Sequence, residues 1–210
     1  MKPLSMPKLL SLGLVFVFVC VLALAPAIQA GPITVVVPNG NFATPAVSVP
    51  PGYASNQIPD SWNYNGTASK GMQVNQFYFG SDINESGTLK QLDLGTNVHA
   101  IGDIYTLTFV SAGYNVGTST LTANLLVDGI MVAYKNVTGP SATQGYSLEW
   151  TANATGALGI SFDFAGTGLA QVVMQEVGLS YAPVPEPSAM ALLATGLLGL
   201  LWRAPGGKRR

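Results

Sequence analysis

His99 is the only histidine in the chain, so any Ser/His/Asp arrangement would have to be built on it. Its surroundings, Thr96-Asn97-Val98-His99-Ala100, read as a loop between strands and not as a nucleophile elbow, and a surface histidine in a turn accounts for it. Glycosidase chemistry needs two carboxylates facing each other across a cleft. Asp103 and Asp128 adjoin glycines in predicted turns, Asp163 falls on the polar side of a predicted strand, and no pair stands out. There is no histidine cluster for zinc, no glycine-rich phosphate loop and no heptad. The residue set therefore predicts a protein that is not an enzyme and holds no catalytic metal. What remains is a different chemistry. Aromatic faces suit the C–H side of a sugar ring, and amides suit its hydroxyls. Both are dense between Tyr53 and Phe79, where Tyr53, Trp62, Tyr64 and Tyr78 lie among Asn56, Gln57, Asn63, Asn65, Gln73, Asn75 and Gln76. These four aromatics are the candidate glycan contacts, with Tyr114 and Asn115 as an alternative. The competing reading is that Phe42, Trp62 and alternate members of Phe77 to Phe79 pack inward as core.

The elements that must position these side chains are strands. Residues 31–183 contain three lysines and nine acids, a net charge of −6, which repels phosphate backbones and argues against a nucleic-acid partner. The segment contains no cysteine, so neither disulfides nor thiolate metal sites can staple it, and packing must hold it together. Its length suits one domain. Candidate strands are Ile33–Val37, Gly71–Phe79, Gly87–Leu94, Ile104–Ala112, Ser119–Val127, Met131–Val137, Tyr146–Ala152, Leu158–Phe164 and Gln171–Tyr181. Tyr105, Leu107 and Phe109 alternate with Thr106 and Thr108, and Ile160, Phe162 and Phe164 alternate with Ser161 and Asp163, as half-buried strands do. Asp128-Gly129 between two such runs predicts a hairpin turn, and the four prolines of Thr44–Pro59 predict a surface loop. The expected fold is all-β: a two-sheet antiparallel sandwich or jelly roll. Asn65, Asn84, Asn136 and Asn153 each begin an Asn-x-Ser/Thr sequon, unremarkable in so Asn- and Thr-rich a chain.

The two ends carry addresses. Lys2 and Lys8 precede the apolar run Leu9–Ala25, and small residues follow at Ala25, Ala27 and Ala30, the layout of a secretory signal peptide over residues 1–30 with cleavage after Ala27 or Ala30. Cys20, the one cysteine, leaves with it. At the other end, residues 184–210 run from Val184-Pro185-Glu186-Pro187 through the apolar segment Ala189–Trp202 to the basic residues Arg203, Lys208, Arg209 and Arg210. The prolines mark a helix start near Ser188. A helix from there to Trp202 is about 22 Å long against a hydrocarbon core of roughly 30 Å, so a span relies on Trp202 at the interface and on snorkelling arginine. The basic residues after the apolar run place the C-terminus in the cytoplasm and the body outside. This order of motif, apolar helix and basic tip resembles the PEP-CTERM sorting signal of bacterial surface proteins. The resemblance implies exosortase as a partner, recognition centred on Pro185, Glu186 and Pro187, an inner-membrane-anchored precursor, and a mature protein at the cell surface or in the extracellular matrix.

Asn39-Gly40-Asn41-Phe42, Ile58-Pro59-Asp60-Ser61-Trp62, Gly102-Asp103-Ile104-Tyr105-Thr106-Leu107 and Val177-Gly178-Leu179 together resemble the frame of galactose-binding-like jelly rolls, a fold shared by carbohydrate-binding modules. The resemblance implies a two-sheet sandwich that contacts exopolysaccharide or envelope glycans. It also implies a structural calcium between an acid shortly after the opening motif and an acid just before the Val-x-Leu of the last strand. Those positions here read Ala43 and Gln175-Glu176, and Ala43 offers no side-chain oxygen, so the expectation is no cofactor. Glu176 and the Asn39–Asn41 backbone are the ligands left to a calcium. The function expected is a non-catalytic, exported glycan-interacting surface protein. The alternatives are a self-associating coat or biofilm component and, remotely, an extracellular hydrolase using His99.

Overall fold

Twelve strands make up the regular structure of the computed structural model, which describes residues 31–47, 53–81, 83–114, 118–138 and 142–184. The expected signal segment, the apolar C-terminal helix and the basic tail lie outside those residues. In chain order the strands are β1 (Ile33–Val35), β2 (Tyr53–Ser55), β3 (Asn63–Gly66), β4 (Ser69–Gln73), β5 (Gln76–Ser81), β6 (Glu85–Gln91), β7 (Ile104–Tyr114), β8 (Thr118–Val127), β9 (Ile130–Thr138), β10 (Gln144–Thr151), β11 (Leu158–Thr167) and β12 (Ala170–Ala182). Among the described residues there is no helix long and apolar enough to cross a membrane.

The strands form two antiparallel sheets, as the alternation predicts. The first runs β10-β7-β12-β5-β4-β2, with β1 also paired to β12; the second runs β3-β6-β11-β8-β9. The long β12 makes this arrangement possible, pairing with β7 on one side and with both β5 and β1 on the other. Period-two alternation turns one face of each sheet inward. Tyr105, Leu107 and Phe109 of β7 and Phe77 and Phe79 of β5 meet Leu89 of β6, Phe162 and Phe164 of β11 and Leu121 and Leu125 of β8 in one apolar core. Aromatic pairs join the layers: Phe79 stacks on Phe164 at 5.3 Å, and Phe109 meets Phe162 edge-on at 5.3 Å. Each such ring contributes about 1.5–3 kcal/mol on burial, which is how a cysteine-free domain holds together.

The Asp128-Gly129 turn joins β8 to β9 with both residues at positive φ, 51° and 76°, the twist-compatible hairpin that Asp-Gly favours. Two expectations change. Gly71–Phe79 is not one strand but the β4–β5 hairpin, which reverses at Val74-Asn75 with Asn75 at φ 56°. Asparagine tolerates the left-handed region, so no glycine marks the turn. The proline-rich stretch read as loop also contains β2, which pairs with β4.

Candidate functional site

Three of the four candidate aromatics are accounted for by their side chains. Trp62 is 5% exposed and lies against Phe42 and Phe162, with its indole N–H donating to the Asn39 carbonyl at 3.3 Å. It serves the core, the competing reading of the sequence. Tyr64, on β3, also turns inward. Its ring packs against Phe77 and Phe79, its hydroxyl donates to the Ala68 carbonyl at 2.6 Å, and the Lys70 ammonium sits 4.3 Å from the ring centroid. Burial, and secondarily the Glu85 charge, raises the Tyr64 phenol above the ordinary tyrosine range. Tyr78 points to the opposite face of its sheet from Phe77 and Phe79, yet is 5% exposed, because it lies over Gly71, where a Cβ would collide with its hydroxyl. Trp62 and Tyr78 thus have no open ring face for a sugar. Tyr53 starts β2 opposite Gln73, and its side chain lies outside the description. The structure does not gather Trp62, Tyr64 and Tyr78 into one surface.

A different surface gathers polar side chains: the outward face of the second sheet. Pairing registers align Asn63, Lys90, Ser161, Asn124 and Tyr134 in one row, and Asn65, Thr88, Asp163, Thr122 and Asn136 in the next. These residues face outward because their neighbours in sequence, such as Leu89, Phe162, Ala123 and Val137, fill the core. Hydrogen bonds order the rows. The Asp163 carboxylate accepts from the Thr88 hydroxyl at 2.7 Å and from the Asn124 amide at 2.7 Å; the same amide donates to the Ser161 hydroxyl at 2.9 Å, and the Thr122 hydroxyl donates to the Asn136 carbonyl oxygen at 2.8 Å. Asn124 is only 2% exposed, and its Oδ1 is buried with no hydrogen-bond partner. Beside it in the row, Tyr134 is 59% exposed. A depression of about 390 Å³ lies across these strands between Asn65, Thr88, Thr120, Thr122 and Asp163. Tyr64 lies beneath it, against the inner side of Gly87, where no side chain would fit. The face thus presents the Tyr134 ring, the Thr88 and Thr122 hydroxyls, the Asn65 and Asn136 amides and the Asp163 carboxylate, with Asn124 and Ser161 themselves buried, a set suited to the hydroxyls and C–H faces of sugars. The sequence missed it because its residues come from five strands. The signal that was present was the polar phase of the alternation in β6, β8 and β11.

A larger groove of about 630 Å³ lies where β12 bulges between Gln175 and Gly178, with Asn41, Thr108, Ser147 and Glu176 along it. The Thr108 hydroxyl already donates to the Gly178 carbonyl, and Tyr146 stacks on Phe109, its register partner on the core side of the first sheet, at 5.3 Å.

His99 is more than a solvated turn residue. Its Nδ1 lies 2.8 Å from the Asp103 carboxylate, which also accepts from the Ala100 amide at 3.1 Å, and its ring stacks on Tyr181 at 5.3 Å. The His99 amide donates to the Tyr105 hydroxyl at 2.7 Å. Burial raises the Tyr105 phenol, opposed by that hydrogen bond and reinforced by the Asp103 charge. An imidazole oriented by a buried carboxylate is two-thirds of a triad. Among the described residues, however, no serine or threonine hydroxyl hydrogen-bonds the His99 ring. The contacts instead close the loop between β6 and β7. Among the described residues no group of three or more acidic, histidine or cysteine side chains could hold a metal ion.

The implied calcium does not fit the residues present. Ala43 offers no side-chain oxygen, the Asn39 carbonyl accepts from the Phe42 amide and the Trp62 indole, and the Gly40 carbonyl accepts from the Val177 amide at 2.7 Å. Two of the fallback ligands are already engaged.

Residues 183–210 match the PEP-CTERM protein-sorting motif, which defines the class: an exported protein directed to the cell surface. Several solved structures are similar to this chain, each with a TM-score below 0.5. One CBM4 structure is 16% identical with a TM-score of 0.48, the alignment covering 68% of this chain and 97% of that one. TmCBM61 in complex with β-1,4-galactotriose is 15% identical with a TM-score of 0.40, covering 57% and 88%. The enzymatically active domain of bacteriophage CBA120 tailspike protein 4 is 16% identical with a TM-score of 0.41, covering 63% of this chain and 21% of that one. No curated protein sequence matches the chain.

Proposed function

We propose that this chain is a non-catalytic, exosortase-processed surface protein whose sandwich holds an extracellular polysaccharide across the outward face of the second sheet. The single observation that carries the binding half is Tyr134, exposed beside the hydrogen-bonded set Asn124, Ser161, Asp163 and Thr88. Preordered polar groups next to an open ring bind with less entropic cost than mobile ones. The sorting half is supported by the PEP-CTERM motif. In this reading exosortase acts at Pro185-Glu186-Pro187, the apolar helix anchors the precursor in the inner membrane, and the matured sandwich works in the matrix.

Affinity electrophoresis of the full chain through gels containing a panel of polysaccharides tests the binding half. Retardation by at least one glycan is expected, with Tyr134→Ala weakening it about tenfold and Tyr134→Phe retaining it. Retardation lost with Tyr53→Ala but unchanged in Tyr134→Ala would return the contact to the first sheet and refute the assignment. Mass measurement of the exported protein tests the sorting half, which requires loss of both the signal segment and the basic tip.

A second reading is self-association into a coat. It is favoured by β9, an edge strand whose Ile130 and Met131 are exposed at 70% and 54%, since an unpaired edge with apolar side chains is a template for another strand. Concentration-dependent assembly with no glycan retardation would favour it.

A further inference from the structure

One side chain ties the opening turn to a neighbouring segment five residues on and to another 21 residues away. Asn39, in the turn after β1, donates from Nδ2 to the carbonyl of Thr44 at 2.5 Å and to the carbonyl of Asp60 at 3.1 Å, while its Oδ1 accepts from the Thr44 amide at 3.0 Å. Asp60 completes the link by donating its own amide to the Thr44 carbonyl at 3.0 Å. The Asn39 backbone carbonyl in turn receives the Trp62 indole. The opening turn, the segment at Thr44 and the turn before β3 are thereby tied together. The amide orientation is determined by its partners: reversed, Oδ1 would face two carbonyl oxygens and the NH2 would face an N–H.

Two carbonyl oxygens converging on one point form an electronegative pocket of the kind that hard cations fill with oxygen ligands. Here the point is occupied by the two N–H donors of a neutral amide. We infer that the Asn39 amide does the bridging work of a bound cation, so that this sandwich keeps its opening turns in place without calcium. Asn39 holds φ at 49°, a conformation asparagine tolerates better than most residues, so backbone and side chain both specify this residue type. Exchange of the amide nitrogen for oxygen, Asn39→Asp, would put a carboxylate against the Thr44 and Asp60 carbonyls. That variant would be destabilised by like-sign repulsion and would gain an oxygen-lined site that a divalent cation can relieve.

Thermal unfolding of the full chain in detergent tests this, with EDTA in one arm and millimolar calcium chloride in the other. The unaltered protein is expected to melt at the same temperature in both. Asn39→Gly keeps the left-handed backbone and loses the bridge, and is expected to melt roughly 5–10 °C lower in both arms. Asn39→Asp is expected to melt lower in EDTA and to recover with rising calcium. A fall in the melting temperature of the unaltered protein on EDTA, reversed by calcium, would overturn the inference. So would an Asn39→Gly protein as stable as the parent, or a folded Asn39→Asp protein indifferent to calcium.

Discussion

Asp163 is the group on which the polar face depends, and its removal separates the functional account from one in which the face is merely solvated. Its two oxygens accept at 2.7 Å from Thr88 and from Asn124. Hydrogen bonds to a charged acceptor contribute about 1.5–3 kcal/mol each, and partial exposure of the carboxylate places these at or below the low end, so Asp163→Ala should cost about 2 kcal/mol. Asn124→Ala is the informative comparison. It removes the donor to Asp163 and to the Ser161 hydroxyl but also removes a buried Oδ1 that has no partner, and relief of that acceptor offsets part of the loss, leaving about 1 kcal/mol or less. On a domain of this size the expected falls in melting temperature are roughly 4–8 °C for Asp163→Ala and less than half that for Asn124→Ala. Circular dichroism melts give these values, and affinity electrophoresis of the same proteins gives binding. Retardation should drop about tenfold or more in Asp163→Ala, because Thr88 and Asn124 lose the acceptor that orients them. A folded Asp163→Ala protein that binds like the parent would refute the role of this face. A larger destabilisation from Asn124→Ala than from Asp163→Ala would refute the hydrogen-bond account.

Glycan binding should be nearly independent of ionic strength and confined to neutral polymers, since residues 31–183 carry three lysines against nine acids and only Lys90 lies in these two rows; affinities at low and high salt, and retardation by a uronate-rich glycan, check this. Gly87→Ala should destabilise by about 1–3 kcal/mol in a urea titration, because the new Cβ meets a Tyr64 ring already confined by Phe77 and Phe79. Tyr64 and Tyr105 should ionise later than ordinary tyrosines when tyrosinate absorbance is followed during alkaline titration. Their raised folded-state values mean that the unfolded chain loses these protons first. Stability from this source is therefore complete below about pH 10 and lost as pH rises through the folded values. Tyr64→Phe should flatten that alkaline decline.

Period-two alternation by itself determines much of the sandwich. Tyr105, Leu107 and Phe109 point inward because a strand buries every second residue, and Asp128-Gly129 turns because both residues accept positive φ. The sorting motif at the C-terminus is likewise local, a linear order of residues that needs no fold to be read. The aromatic patch was misleading because alternation assigns a side chain to one of two faces without saying which face another layer will cover. Tyr64 is covered by Phe77 and Phe79 of the opposite sheet, Trp62 is closed in by Phe42 and by Phe162 of the second sheet, and Tyr78 lies closed over Gly71 on the other side. The polar rows depend on strand order and register. Asn65, Thr88, Asp163, Thr122 and Asn136 become neighbours only when β3, β6, β11, β8 and β9 pair in that sequence. Such pairing is a long-range choice, decided by how the inward residues fill a shared core, and the outward residues take whatever positions that choice leaves them.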